Sequence, residues 1–68
     1  MKYFLKIAEF RMKPGSQDEM YFTDNNGELF IGQPKDVTAG KTYQVEVTKR
    51  LGEPYYRIMS WLSNDGAS

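Results

Sequence analysis

Hydrophobic and polar residues alternate over several short stretches of this chain, which is the pattern of β-strands that bury one face. The clearest stretch places Tyr43, Val45 and Val47 on one face, with polar residues between them. Residues that favour turns separate the stretches, such as Pro-Gly at 14–15 and Asn-Asn-Gly at 25–27. The pattern predicts five strands and no long helix, with the strands at 2–12, 19–24, 27–31, 42–48 and 54–62.

The first of these strands changes its hydrophobic phase halfway along. Tyr3, Leu5 and Ile7 share one parity, whereas Phe10 and Met12 have the other. A β-bulge near Ala8–Glu9 would turn both groups to the inside and bend the strand sharply. We therefore predict a bent first strand.

The pairing register of the first predicted hairpin depends on the length of its loop. An even-length loop centred on Asn25–Asn26 would pair Tyr21 with Phe30 and point both aromatic rings away from the core.

The second hairpin is predicted from a turn centred on Leu51–Gly52. This turn would pair Glu46 with Arg57, and the opposite charges favour that register. The outward face of the last strand would then carry Tyr55, Arg57, Met59 and Trp61. A bulge near Ser60 would instead turn Trp61 into the core, so both positions remain open for this residue.

Five short strands in residues 1–62 predict one all-β domain, a small five-stranded antiparallel barrel, followed by a disordered tail at 63–68. The longest break, at 32–41, falls between strands three and four, as in OB-type barrels. An SH3-like barrel is the alternative, although its longest loop follows strand one and a helical turn precedes its last strand.

Composition excludes several kinds of chemistry. The chain has 68 residues, nine Lys and Arg, nine Asp and Glu, and neither His nor Cys. A Cys/His zinc site, a disulfide, a Cys nucleophile and a Ser-His-Asp triad are therefore ruled out. No acidic cluster suggests a metal site and no apolar run approaches the ~20 residues of a spanning helix. We expect a non-enzymatic, cytoplasmic protein without a cofactor, a metal or a membrane partner.

Aromatic residues interleaved with cations indicate binding of single-stranded nucleic acid, since bases stack on aromatic rings while Lys and Arg contact phosphates. Two sets of residues have this character. The first is on the first three strands and comprises Lys6, Arg11, Lys13, Tyr21 and Phe30. The second is on the last hairpin and comprises Lys49, Arg50, Tyr55, Arg57 and Trp61.

The stretch Ala39–Val47, with the sequence AGKTYQVEV, is followed by a glycine-containing turn and Tyr55–Ile58. It resembles the last hairpin of small OB-fold proteins that bind single-stranded nucleic acid, a class that includes cold-shock domains and phage single-stranded DNA-binding proteins. The resemblance covers about 25 residues and implies an OB-type barrel that binds single-stranded DNA or RNA. The Gly-Phe-Gly-Phe motif of cold-shock domains is absent, because Met20–Thr23 contains no glycine.

The same residues also support a second function. The stripe of Tyr55, Met59 and Trp61 has the character of a protein interface, as in a small phage-type inhibitor or adaptor. An exposed last strand would also allow two subunits to pair as a homodimer. The cations could also have purely structural roles instead of binding roles. Arg57 would then form an ion pair with Glu46, and Lys49 and Arg50 would keep the turn soluble.

Overall fold

The computed structural model describes residues 1–62, whose five strands close into a barrel. The strands are β1 (Lys2–Met12), β2 (Met20–Asp24), β3 (Leu29–Gly32), β4 (Thr42–Lys49) and β5 (Tyr56–Trp61). They are hydrogen-bonded in the order β1-β2-β3-β5-β4, and β4 pairs again with β1. The predicted all-β, OB-like barrel is confirmed, with one correction, because β3 and β5 run parallel. The predicted disordered tail lies outside the described residues.

The connection between β3 and β4 is the feature that separates this barrel from the SH3-like alternative. It is irregular, contains no helical turn, and inserts Val37 into the core. The hydroxyl of Tyr43 accepts a hydrogen bond of 2.9 Å from the backbone N–H of Thr38, which fixes the end of the connection. A tight turn, not a helical one, precedes β5.

The alternation predicted for β4 is confirmed. Tyr43, Val45 and Val47 are buried, and the polar residues between them are only partly covered. Other strands contribute the remaining large apolar side chains to the same cluster, chiefly Leu5, Ile7, Phe22 and Phe30. The core is therefore aliphatic and aromatic throughout.

The predicted bulge in β1 is also confirmed, since the pairing with β2 shifts between Ile7 and Glu9. The prediction that Phe10 and Met12 become buried is wrong, because each remains 43% exposed. Beyond the bulge, β1 pairs only with β2, and its pairing with β4 ends at Lys6. The end of β1 that carries Phe10 and Met12 therefore has a neighbouring strand on one edge only.

The pairing register of the β2–β3 hairpin is shifted by one residue from the predicted register. Gly27 has a φ of +81° and donates a hydrogen bond of 3.1 Å to the carbonyl of Asp24, while the Asp24 N–H bonds Glu28 at 3.1 Å. A turn followed by one left-handed glycine adds a residue to the loop, which becomes odd in length. Phe22 therefore pairs with Phe30, and Phe30 is buried in the core, contrary to the predicted outward position.

The pairing register of the β4–β5 hairpin is shifted by two residues from the predicted register. Gly52 has a φ of +86° in the expected turn, but β5 begins only at Tyr56, because Pro54 has no N–H to donate to the sheet. Lys49 therefore lies opposite Tyr56, and a further shift around Met59 pairs Val45 with Trp61. This shift is a β-bulge at Met59, and it turns Trp61, the last residue of β5, inward.

Asp24 is the one buried charged residue of the described chain. Its carboxylate accepts a 2.7 Å hydrogen bond from the Tyr3 hydroxyl and bonds of 2.9 Å from the N–H groups of Asn26 and Glu28. The hydrogen bond to Asp24, together with burial, raises the pKa of Tyr3 to about 12. This network holds the β2–β3 turn against β1.

Candidate nucleic-acid interface

A row of four outward-facing residues crosses the outside of the barrel. Arg11 pairs with Tyr21, Tyr21 with Ile31, and Ile31 with Arg57. The guanidinium carbon of Arg11 lies 5.4 Å from the centre of the Tyr21 ring, and that of Arg57 lies 5.5 Å from the centre of the Tyr55 ring. Members of both predicted sets thus meet on one face as two arginine–tyrosine stacks.

An open groove of about 450 Å³ runs beside the first of these stacks, on the outside of β1 and β2. Its walls are formed by Glu9, Phe10, Arg11, Tyr21 and Thr23. Within residues 1–62, Arg11 forms no ion pair with a carboxylate. Arg11 is exposed, and its guanidinium lies over the Tyr21 ring beside this groove.

Arg57, in the second stack, is held by an acidic neighbour. Its Nε donates to Glu53 Oε1 at 3.0 Å and its Nη2 donates to Glu53 Oε2 at 2.9 Å. These hydrogen bonds lower the pKa of Glu53 and raise that of Arg57. The predicted pair of Arg57 with Glu46 is therefore wrong, because the two-residue shift of the hairpin and the bulge at Met59 together place Ser60 opposite Glu46.

Lys13 is paired in a similar way. Its Nζ donates to Glu19 Oε1 at 3.2 Å across the β1–β2 loop, and this hydrogen bond raises the pKa of Lys13. Both charges are substantially exposed, so water and salt weaken the pair. Lys13 and Arg57 are thus on the candidate face but are partly neutralised there.

Ile31 lies at the centre of the row and is only 2% exposed although it is outside the barrel core. It lines a smaller groove of about 260 Å³ that also contains Glu19, Arg50 and Arg57. Arg50, from the second predicted set, therefore reaches the same face at its far edge.

Two predicted binding aromatics point inward instead, Phe30 within the core and Trp61 packed against it. Phe30 is 0% exposed and its ring centre lies 5.3 Å from that of Tyr56, so it offers no face to a ligand. Trp61 makes edge contacts with Phe22 and Tyr43 at 5.4 and 5.5 Å between ring centres. Trp61 is still partly accessible, in a groove of about 340 Å³ beside Met59 and Ser60. The outward position considered for Trp61 is wrong, because the bulge around Met59 reverses its direction.

Two predicted cations lie away from the arginine–tyrosine stacks. Lys49 is at the end of the barrel, where its Nζ lies 4.9 Å from the centre of the Tyr56 ring. Lys6 precedes the bulge of β1 and pairs with Thr42 of β4. Neither residue lines the grooves beside Arg11 or Ile31.

Phe4 was not among the predicted site residues, yet it is 65% exposed on the outer side of β1. Its neighbours at the next outward positions, Lys2 and Lys6, are exposed as well. The sequence does contain a signal for this position. Phe4 shares its parity with Lys2 and Lys6, and successive side chains of a strand point to opposite faces. Phe4 is therefore expected on the same exposed face as the two lysines.

The described residues include no group of three or more metal-ligating side chains. No helix in residues 1–62 is long and apolar enough to cross a membrane. Comparisons with protein-family models, with curated proteins and with solved structures found no match to this chain.

Proposed function

We propose that this protein binds single-stranded DNA or RNA on the outer face of β1, β2 and β3. The observation that carries the proposal is the exposed stack of Arg11 on Tyr21 beside an open groove. Bases in single strands stack on aromatic rings and on the planes of arginine side chains. A base entering the groove stacks on the free side of the Arg11 guanidinium, whose N–H groups are then available to a neighbouring phosphate.

The charges on this face set the strength of binding. The net charge of the chain is zero, and carboxylates already hold Lys13 and Arg57. Few cations therefore remain to release counterions from the strand, and two or three phosphate contacts would give a salt slope of about −1.4 to −2. We expect weak binding with a modest dependence on salt, in which stacking contributes a large share.

The test is fluorescence anisotropy with a labelled oligo-dT at low and moderate salt. Tyr21→Ala should weaken binding by about fivefold or more, because stacking on an aromatic ring contributes about 1–3 kcal/mol per base. Tyr21→Phe should keep the affinity, since the ring remains. Arg11→Gln should weaken binding and reduce the salt slope, whereas the matched change Lys49→Gln should alter neither. Absence of binding, or binding that is insensitive to both Tyr21→Ala and Arg11→Gln, would refute the proposal.

A second candidate function is binding of another protein, and the exposed apolar side chains favour it. Phe4 and Met59 are 65% and 63% exposed, and Leu62 is 46% exposed. Exposed aromatic and methionine side chains are enriched at protein interfaces. Sedimentation equilibrium tests the self-associating form of this function, in which the mass would rise with concentration and Met59→Ser would restore the monomer.

A further inference from the structure

The first half of β1 carries an exposed aromatic residue between two cations. Lys2, Phe4 and Lys6 point outward, while Leu5 and Ile7 between and after them are fully buried. Successive outward residues are about 7 Å apart along a strand. The side chains therefore form a short stripe in which one aromatic ring has a cation on each side.

The charges of this stripe are not neutralised by neighbouring carboxylates. Within residues 1–62, neither Lys2 nor Lys6 forms an ion pair. Across β4 their partners are Glu46 and Thr42, and Glu46 is bonded to the amino group of Met1. The stripe is thus more strongly cationic than the Arg57 side of the proposed face.

The bulge of β1 connects this stripe with the arginine–tyrosine groove. Lys2 and Lys6 have even numbers, whereas Arg11 and Lys13 have odd numbers, so a regular strand would point them to opposite faces. The shift at Ala8 changes the parity and turns Lys2, Lys6 and Arg11 outward along one strand, which Lys13 directly follows. From Lys2 to Arg11 this track spans at most about 30 Å.

We propose that the stripe of Lys2, Phe4 and Lys6 is a second contact site for the same single strand, with Phe4 stacking a base and the two lysines contacting phosphates. This inference rests on the proposed function. A second copy of the chain is less suited to the surface, because lysine is depleted at the centres of protein interfaces. The combined track fits the range of about 4–16 nucleotides that one OB-type barrel covers.

The decisive measurement compares a short and a long labelled oligo-dT by anisotropy, about 4 and 16 nucleotides in length. Phe4→Ala should weaken binding of the long strand by about fivefold or more and leave the short strand, which occupies the Arg11 groove, nearly unchanged. Phe4→Tyr should retain affinity. The double change Lys2→Gln with Lys6→Gln should lower the salt slope for the long strand alone. Leu51→Ala removes a fully exposed apolar side chain at the β4–β5 turn, away from both contact sites, and is the matched control.

The outcomes separate this inference from the proposed function. If Tyr21→Ala weakens binding while the Phe4 and lysine variants do not, the second site is refuted and the proposed function stands. If the unmodified protein does not bind either strand, both fail. If Phe4→Ala changes binding only because it converts a dimer to monomers in sedimentation equilibrium, the stripe is an interface between copies and the inference is overturned. Circular dichroism of each variant checks that the barrel remains folded.

Discussion

Replacing Trp61 with alanine tests whether this residue seals the barrel or serves as a stacking surface. Its ring makes edge contacts with Phe22 and Tyr43, and it pairs with Val45 on the inward side of β5. Removing a core Trp or Phe side chain costs about 3–5 kcal/mol, and each aromatic contact adds about 0.5–1.5 kcal/mol to simple burial. Because Trp61 is only partly buried, we expect Trp61→Ala to lower the free energy of unfolding by about 2–4 kcal/mol.

The assay is urea unfolding followed by far-ultraviolet circular dichroism, which does not depend on the Trp itself. A domain of this size has a total stability of about 3–10 kcal/mol, so Trp61→Ala could leave too little folded protein to measure. Trp61→Phe keeps a ring between the same neighbours and should cost about 1 kcal/mol. Met59→Ala, at the exposed bulge, should stay within about 0.5 kcal/mol.

A loss of less than about 0.5 kcal/mol in Trp61→Ala would refute a sealing role.

The emission of Trp61 gives an independent check in the unmodified protein. Saturation with oligo-dT should change this emission little, because the proposed strand lies on the outer face of β1, β2 and β3, whereas Trp61 points inward from β5. Strong quenching that follows the binding curve would place the bases on Trp61 and contradict the assigned path.

Two further predictions address the core and the buried network. Val45→Ala should cost about 1–3 kcal/mol and Gln44→Ala less than about 0.5, measured by urea unfolding, and equal costs would mean that both faces of β4 are buried. Because the pKa of Tyr3 is raised from 10.0 to about 12, its contribution to stability is complete below pH 10 and is lost as the pH rises toward 12. Unfolding between pH 9 and 12 should therefore show a steeper alkaline decline in the unmodified protein than in Tyr3→Phe, and parallel curves would contradict this assignment.

The positions of the strands could be predicted because they depend on local patterns. The alternation around Val45 and the phase change near Ala8 each show which side chains must share a face, whatever the neighbouring strand. The OB-like order followed from the long connection between β3 and β4, since the length of a connection limits which strands can be adjacent. The outward position of Arg11 follows from the same phase change, because Arg11 alternates with Phe10 and Met12.

The registers could not be predicted, because they depend on hydrogen bonds that form only in the folded turns. One added residue at Gly27 moved Phe30 from the surface to the core, since side chains alternate with a period of two. The two-residue shift after Pro54 left Arg57 outward but changed its acidic partner from Glu46 to Glu53. The bulge around Met59 then decided the direction of Trp61.

The sequence by itself determined the all-β class, the five strands, the bend in β1 and the absence of His and Cys chemistry. Each of these depends on composition or on residues close together in the chain. Only the tertiary structure decided that Arg11 and Tyr21 form an exposed stack, while Phe30 joins the core and Trp61 packs against it. In a closed barrel, every strand must pair in register with both of its neighbours at the same time. Bulges and changes in loop length adjust the register where the local sequence pattern alone would not satisfy both pairings.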